Sequence, residues 1–223
     1  MSTLLDREID QLQRRMLDLG GLAEASVRYA VQALQTHDTA LAQRVSDDDT
    51  TLDAEEVVLE EACLKVLALH QPVAVDLRVI IGILKINNDL ERVGDLAVSI
   101  AQCVHADQAE PGWPAQLSAL TAYATGLVSD ALTAFVQMNR VTAVALCLKK
   151  ETFRAASAAL EQTIRDLLCV THDARTVRTA MAWLAAGHAL RRICEHAVNL
   201  AENVIYIHDG IVIRHHANRI PET

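Results

Sequence analysis

Asn88, Glu91, Asp95, Ser99 and Gln102 follow one another at steps of three and four residues. At about 100° per residue this spacing stacks them in one narrow row along a helix. Glu91 and Asp95 place like charges four apart, which costs a helix roughly a few tenths of a kcal/mol. The row therefore calls for a cation. Arg92 is one source, standing three residues from both Asp89 and Asp95. A bound ion is another, because short oxygen-bearing side chains can hold a hard cation or iron close to a helix, whereas long solubilising ones cannot. A hundred residues further on, His188, Arg191, Glu195, Asn199 and Glu202 form a second row with the same spacing.

A separate run adds carboxylates. Between Val45 and Leu64 stand Asp47, Asp48, Asp49, Asp53, Glu55, Glu56, Glu60 and Glu61, with no Lys or Arg among them. Most belong to a solvated face. The apolar seam of this stretch is expected to read Leu41, Val45, Asp48, Leu52, Glu55, Leu59, Ala62, Val66, Leu69, which puts Asp48 and Glu55 where a heptad asks for apolar groups. An unpaired seam acid must be neutralised by a proton, an arginine or a metal.

Three classes of function compete. Regulated binding through a metal-holding acidic surface is one. A carboxylate-ligated metalloenzyme in a helical bundle is the second, but such enzymes carry Glu-x-x-His pairs aimed into the core, and the chain contains none. His196 adjoins Glu195 and so points elsewhere, and both His188 and His196 read as surface or hydrogen-bonded histidines. The nucleophile elbow, the P-loop and the Gly-rich dinucleotide turn are also missing, so no catalytic residue is expected. The third class is a helical scaffold whose polar rows are merely wet.

The elements that must carry these rows are helices. Of 223 residues, 51% are hydrophobic and only 3% aromatic, with 8 Gly and 4 Pro, and apolar residues recur at helical spacing almost throughout. The pattern predicts an all-α fold of six long helices at about 4–36, 39–69, 73–106, 114–138, 140–170 and 174–208, with Pro72 at the start of the third. Asp107 to Pro114, with two prolines and a glycine, reads as a linker. It separates a first three-helix unit, 1–106, from a second, 115–208, followed by a tail at 209–223 that holds Arg214, His215, His216 and Arg219 and reads as frayed. The units repeat: shifting 76–104 by 100 positions makes 8 of 29 residues identical, namely Arg78, Leu84, Leu90, Arg92, Ala97, Val98, Ala101 and Val104 with their counterparts. Each unit is thus expected to be an antiparallel three-helix bundle.

Charge is divided unequally. Residues 1–106 hold 9 Lys/Arg against 18 Asp/Glu and residues 107–223 hold 11 against 11, so the net charge of −9 arises wholly in the first unit. That balance, with few aromatic residues for stacking, argues against a nucleic-acid partner. No uncharged apolar run is expected to approach the roughly 18 residues of a membrane span, and the first ten residues carry four charges instead of a signal core. The five cysteines, Cys63, Cys103, Cys147, Cys169 and Cys194, are odd in number and widely spaced, and they read as buried free thiols of a reducing compartment.

The segment Asp76 to Cys103, with Glu91-Arg92-Val93-Gly94-Asp95 at its centre, resembles the signature of the PhoU family, whose repeats each carry an E(D)xxxD motif on the third helix. Leu190 to Tyr206 resembles the corresponding part of the second repeat. The resemblance covers essentially the whole chain. It implies a cytoplasmic, dimeric regulator without catalytic activity, associated with the inner membrane face only through its partners. Those partners are the ATPase subunit of the phosphate ABC transporter and a sensor histidine kinase, and the role is to shut off phosphate-starvation signalling. It also implies a metal ion or multinuclear cluster, of iron or zinc, on the acidic motifs. Carried over by position, Glu91 and Asp95 match the first motif and Asp49 the acid of the second helix, with Asp48 and Asn88 as neighbouring ligand candidates. The second motif departs from the pattern. Arg191 stands where the first acid belongs, Glu195 replaces the final Asp, and Lys150 takes the place of Asp49. Glu195, Glu202 and Asn199 are therefore weaker candidates, and metal is expected mainly in the first repeat.

Overall fold

A computed structural model describes residues 4–105 and 112–213. Its elements are α1 (Leu4–Thr36), α2 (Thr39–His70), α3 (Ala74–Ala101), α4 (Ala115–Val136), α5 (Arg140–Cys147), α6 (Lys150–Val170) and α7 (Ala174–Asp209). The described residues are helices and short turns, in two antiparallel three-rod units. The rod expected over 140–170 runs as α5 and α6 with one tightened turn between them, where Lys149 N donates to Leu146 O at 3.0 Å, three residues back instead of four. The third helix ends at Ala101, short of the expected 106. Residues 107–111 of the linker and 214–223 of the tail lie outside the described residues.

The duplication is visible in backbone detail. His37 (φ 56) and Met138 (φ 47) both adopt the left-handed conformation that ends a helix. In the first unit Asp38 N then donates to Ala33 O at 3.0 Å, and in the second Asn139 N donates to Ala134 O at 2.8 Å. The side chains of Asp38 and Asn139 go on to cap the next helix, accepting from Leu41 N at 2.9 Å and from Thr142 N at 3.1 Å. Here the units are offset by 101 residues. The helical rod before α7 ends one residue early, at Val170 against His70, and the three-residue turns that follow keep the resulting offset of 100 on the third rods.

Burial explains the arrangement. α3 and α7 pack on each other in antiparallel fashion as well as on their own bundles, so both are buried on most sides. Arg78 Nε donates to Ile207 O at 3.0 Å, tying the start of α3 to the end of α7. α1 meets α4 at Gly20, where a Cβ would lie 2.5 Å from Leu132 Cδ1 and 2.9 Å from its Cδ2. One apolar core thus runs through both units. Gly20→Val should lower stability by about 1 kcal/mol in urea unfolding, because crowding of buried Leu132 outweighs the gain in helix propensity; a stabilised variant would refute the close approach.

Two expectations need correction. α4 is, by length and composition, apolar enough to cross a membrane. Asp130 is its one charged residue, and here Leu117, Leu120, Leu127 and Phe135 are buried in the core. The cysteines are unpaired as expected, but Cys169 is exposed on α6, and Cys103 and Cys147 are half-buried. Burial pushes the Cys63, Cys147 and Cys194 thiols up to about 12, which leaves them unreactive.

Candidate functional site

α2 lies along α3 with a seam that differs by one register from the expected one. The residues turned inward are Ala42, Val45, Asp49, Leu52, Glu56, Leu59, Cys63 and Val66, a strict alternation of three and four. Asp48 and Glu55 are exposed instead. Asp48 pairs loosely with Arg44, 3.4 Å away on the same helix, and takes no part in the seam. The two seam acids are therefore Asp49 and Glu56. Asp49 was a candidate from the family resemblance; Glu56 was missed, although the alternation counted forward from Val45 leads to it.

Asp49 fits because α3 has no side chain opposite it. A Cβ on Gly94 would stand 3.0 Å from both Asp49 Oδ1 and Leu52 Cδ1. Asp49 Oδ1 is buried and accepts no hydrogen bond. Burial first, then the charges of Asp53 and Asp95, pushes its pKa from 3.8 to about 6. One turn toward the start of α3, Glu91 is in a similar position. Its Oε2 lies 3.3 Å from Arg92 Nε, poorly aligned, and it remains a buried oxygen without a hydrogen bond. Burial, with Asp95, Asp53 and Glu56 adding and Arg92 opposing, raises the Glu91 pKa. Burial, Glu60 and Asp53 raise that of Glu56 as well. Six carboxylates from two helices, Asp49, Asp53, Glu56, Glu60, Glu91 and Asp95, thus share one field, and Arg92 is the cation among them.

The α3 row is only partly the one expected. Glu91 is half-buried, whereas Asn88, Asp95 and Ser99 are exposed. Arg92 reaches Asp95 Oδ2 at 3.0 Å. It does not serve Asp89, which faces the other unit: His196 Nδ1 stands 2.8 Å from Asp89 Oδ1, and Asn199 Nδ2 donates to the same oxygen at 3.1 Å. The polar α3 residue buried toward α2 is Asn87, not Asn88. Asn87 Nδ2 donates to Glu56 O at 2.9 Å and to Glu56 Oε1 at 2.8 Å, fixing the seam acid on its helix.

The first-unit face fits a cation by its donor set: oxygens from two helices, two of them buried without a hydrogen bond, in mutual repulsion. Asp49, Glu91 and Asp95 are the residues that would hold it, with Glu56 beside them. Among the described residues no three Asp, Glu, His or Cys side chains are already gathered as a ligand set. In the second unit every weaker candidate is engaged. Arg191 Nη1 donates to Glu195 Oε1, Lys150 Nζ lies 2.8 Å from Glu202 Oε1, and Asn199 serves Asp89. These residues do not fit a metal.

Comparison with known proteins places this architecture. The PhoU domain family model matches twice, at residues 16–104 and 117–204. A phosphate-specific transport system accessory protein PhoU homolog of Rhizobium meliloti (strain 1021) is 37% identical over 213 residues, covering 92% of this chain and 87% of that protein. The homolog from Pseudomonas putida is 32% identical over 220 residues, covering 96% and 84%. Among solved structures, the crystal structure of PhoU from Pseudomonas aeruginosa superposes with a TM-score of 0.86 at 30% identity, covering 92% of this chain and 99% of that one.

Proposed function

This chain belongs to the PhoU family, and we propose that it is a regulator of phosphate transport that works by metal-dependent binding and not by catalysis. The relatives' names support a role beside a phosphate-specific transport system. The observation that carries the finer reading is the pair of buried carboxylate oxygens that accept no hydrogen bond, Asp49 Oδ1 and Glu91 Oε2, where α2 meets α3, the second with only the poorly aligned Arg92 beside it. A native fold keeps such oxygens only when something compensates them. A bound metal ion or cluster of iron or zinc would neutralise this surface and hold the two helices together. The neutralised face would then dock on the ATPase subunit of the phosphate ABC transporter and on a sensor histidine kinase, in the cytoplasm and as a homodimer, to shut off starvation signalling.

Two measurements test the reading. Elemental analysis of protein purified without chelators should find iron or zinc, and Asp49→Asn or Glu91→Gln should remove it. In cells lacking the native gene, the Glu91→Ala, Asp95→Ala double variant should leave starvation reporters switched on at high phosphate while the protein stays folded. Normal repression by that variant would show that the acidic face is not the functional site.

A further inference from the structure

We infer that the second repeat carries its own permanent cations, Lys150 and Arg191, in the positions where the first repeat awaits a metal ion, so that metal status is read by the first repeat alone. The inference rests on the reading of the first repeat just given and concerns the half of the molecule that reading leaves out.

The correspondence is structural. The matching turns before α2 and α5 set an offset of 101, which carries Val45, Asp49, Leu52, Glu56 and Leu59 onto Leu146, Lys150, Phe153, Ser157 and Leu160. The apolar members are buried in both repeats. The third rods agree with this register: Leu52 packs against Gly94 in the first repeat, and in the second Leu160 packs against Gly187, the equivalents of Leu59 and Asn87, one seven-residue step along the same antiparallel alignment. On those rods the offset of 100 carries Glu91 and Asp95 onto Arg191 and Glu195. Asp49, Glu56, Glu91 and Asp95 thus become Lys150, Ser157, Arg191 and Glu195, four negative charges replaced by two positive and one negative.

The replacement is reciprocal. Where the first repeat has neutral Gln102, the second has Glu202, and its carboxylate receives Lys150 Nζ at 2.8 Å with only 10% of the Glu202 side chain exposed. Arg191 closes on Glu195 one helical turn away. An ammonium and a guanidinium offer no lone pair to a metal and repel a divalent ion. Being covalently tethered, they are not lost on chelation. The second bundle therefore holds constantly the neutralised state that the first reaches only with an ion, and a pseudo-symmetric molecule gains an asymmetric response.

The test uses the full chain, stripped with chelator and titrated with zinc chloride, with bound zinc measured after gel filtration. The wild-type chain is expected to bind zinc in one class of site that Asp49→Asn plus Glu91→Gln removes. Glu195→Ala should leave that uptake unchanged. Adding Lys150→Asp and Arg191→Glu to the chain with the first site removed should restore zinc binding in the second repeat, at least tenfold above that parent. Two equivalent classes of site in the wild type, or loss of half the zinc in Glu195→Ala, would overturn the inference while leaving the first-repeat reading intact. A wild type that binds no zinc would instead sink the first-repeat reading, and the charge-reversed chain still decides this one: if it is folded by circular dichroism and gains no zinc, Lys150 and Arg191 are not what excludes the ion.

Discussion

Replacing His196 by alanine is expected to cost about 3 kcal/mol of folding stability, more than any surface change in this chain. The cause lies in Asp89, whose side chain is 6% exposed and is held across the two repeats by His196 Nδ1 at 2.8 Å and Asn199 Nδ2 at 3.1 Å. Losing the imidazole leaves a buried carboxylate with Asn199 as its one remaining partner, and the desolvation already incurred is no longer compensated. The low end of the range for a broken buried pair applies because Asn199 stays and the His196 side chain is itself 19% exposed. Urea unfolding of the metal-free chain measures the loss. The double variant Asp89→Leu, His196→Leu supplies the control: with both polar groups gone it should recover to within about 1 kcal/mol of wild type. A single variant as stable as wild type would show that the contact does not hold the repeats together.

Asp49→Asn is expected to act in opposite directions with and without metal. In the folded chain the Asp49 pKa stands at about 6, against 3.8 for the ordinary group. Between these values the native state holds more protons than the unfolded one, so this group's contribution to stability is fully present below 3.8 and lost as pH rises through 6. For a fully buried acid the linkage would approach about 3 kcal/mol, but solvent screening of a group this open leaves about 1 kcal/mol. The metal-free variant should therefore exceed wild type by about 1 kcal/mol at neutral pH and match it near pH 4. With zinc at about a hundred times its Kd, wild type should gain about 2.7 kcal/mol, most of which the variant should forgo. Chemical unfolding at both pH values, with and without zinc, checks both signs. A variant that is less stable than wild type without metal, or that gains as much from zinc, contradicts the account of Asp49 as an acid kept for an ion.

The seam of α2 marks where sequence reading reached its limit. Val45, Leu52, Leu59 and Val66 repeat every seven residues and belong to either of two registers, one continuing through Leu41, Asp48, Glu55 and Ala62 and the other through Ala42, Asp49, Glu56 and Cys63. Hydrophobicity favours Leu41 over Ala42, and the first register was the one expected. Close packing on α3 chose the second, because Gly94 leaves room for Asp49 and Asn87 reaches up to bind Glu56. A heptad is symmetric between its three-step and four-step until a partner helix is present. The same limit hid Asn87 behind Asn88, its exposed neighbour.

By itself the sequence determined the all-helical class, the duplication, the Glu91 and Asp95 motif, the acid excess of the first repeat, and the Lys150 and Arg191 departures in the second. All of these are carried by periodicity, by identity at a fixed offset, or by charge along the chain, which need no knowledge of neighbours. Only the tertiary structure decided that Asp89 binds His196 and Asn199 across more than a hundred residues, that Lys150 neutralises Glu202, and that Asp49 and Glu91 keep buried oxygens that accept no hydrogen bond. Each of those depends on which helix faces which, a choice made by core packing between α3 and α7, between α6 and α7 and between α2 and α3, and residues distant in the chain carry no local signal of it.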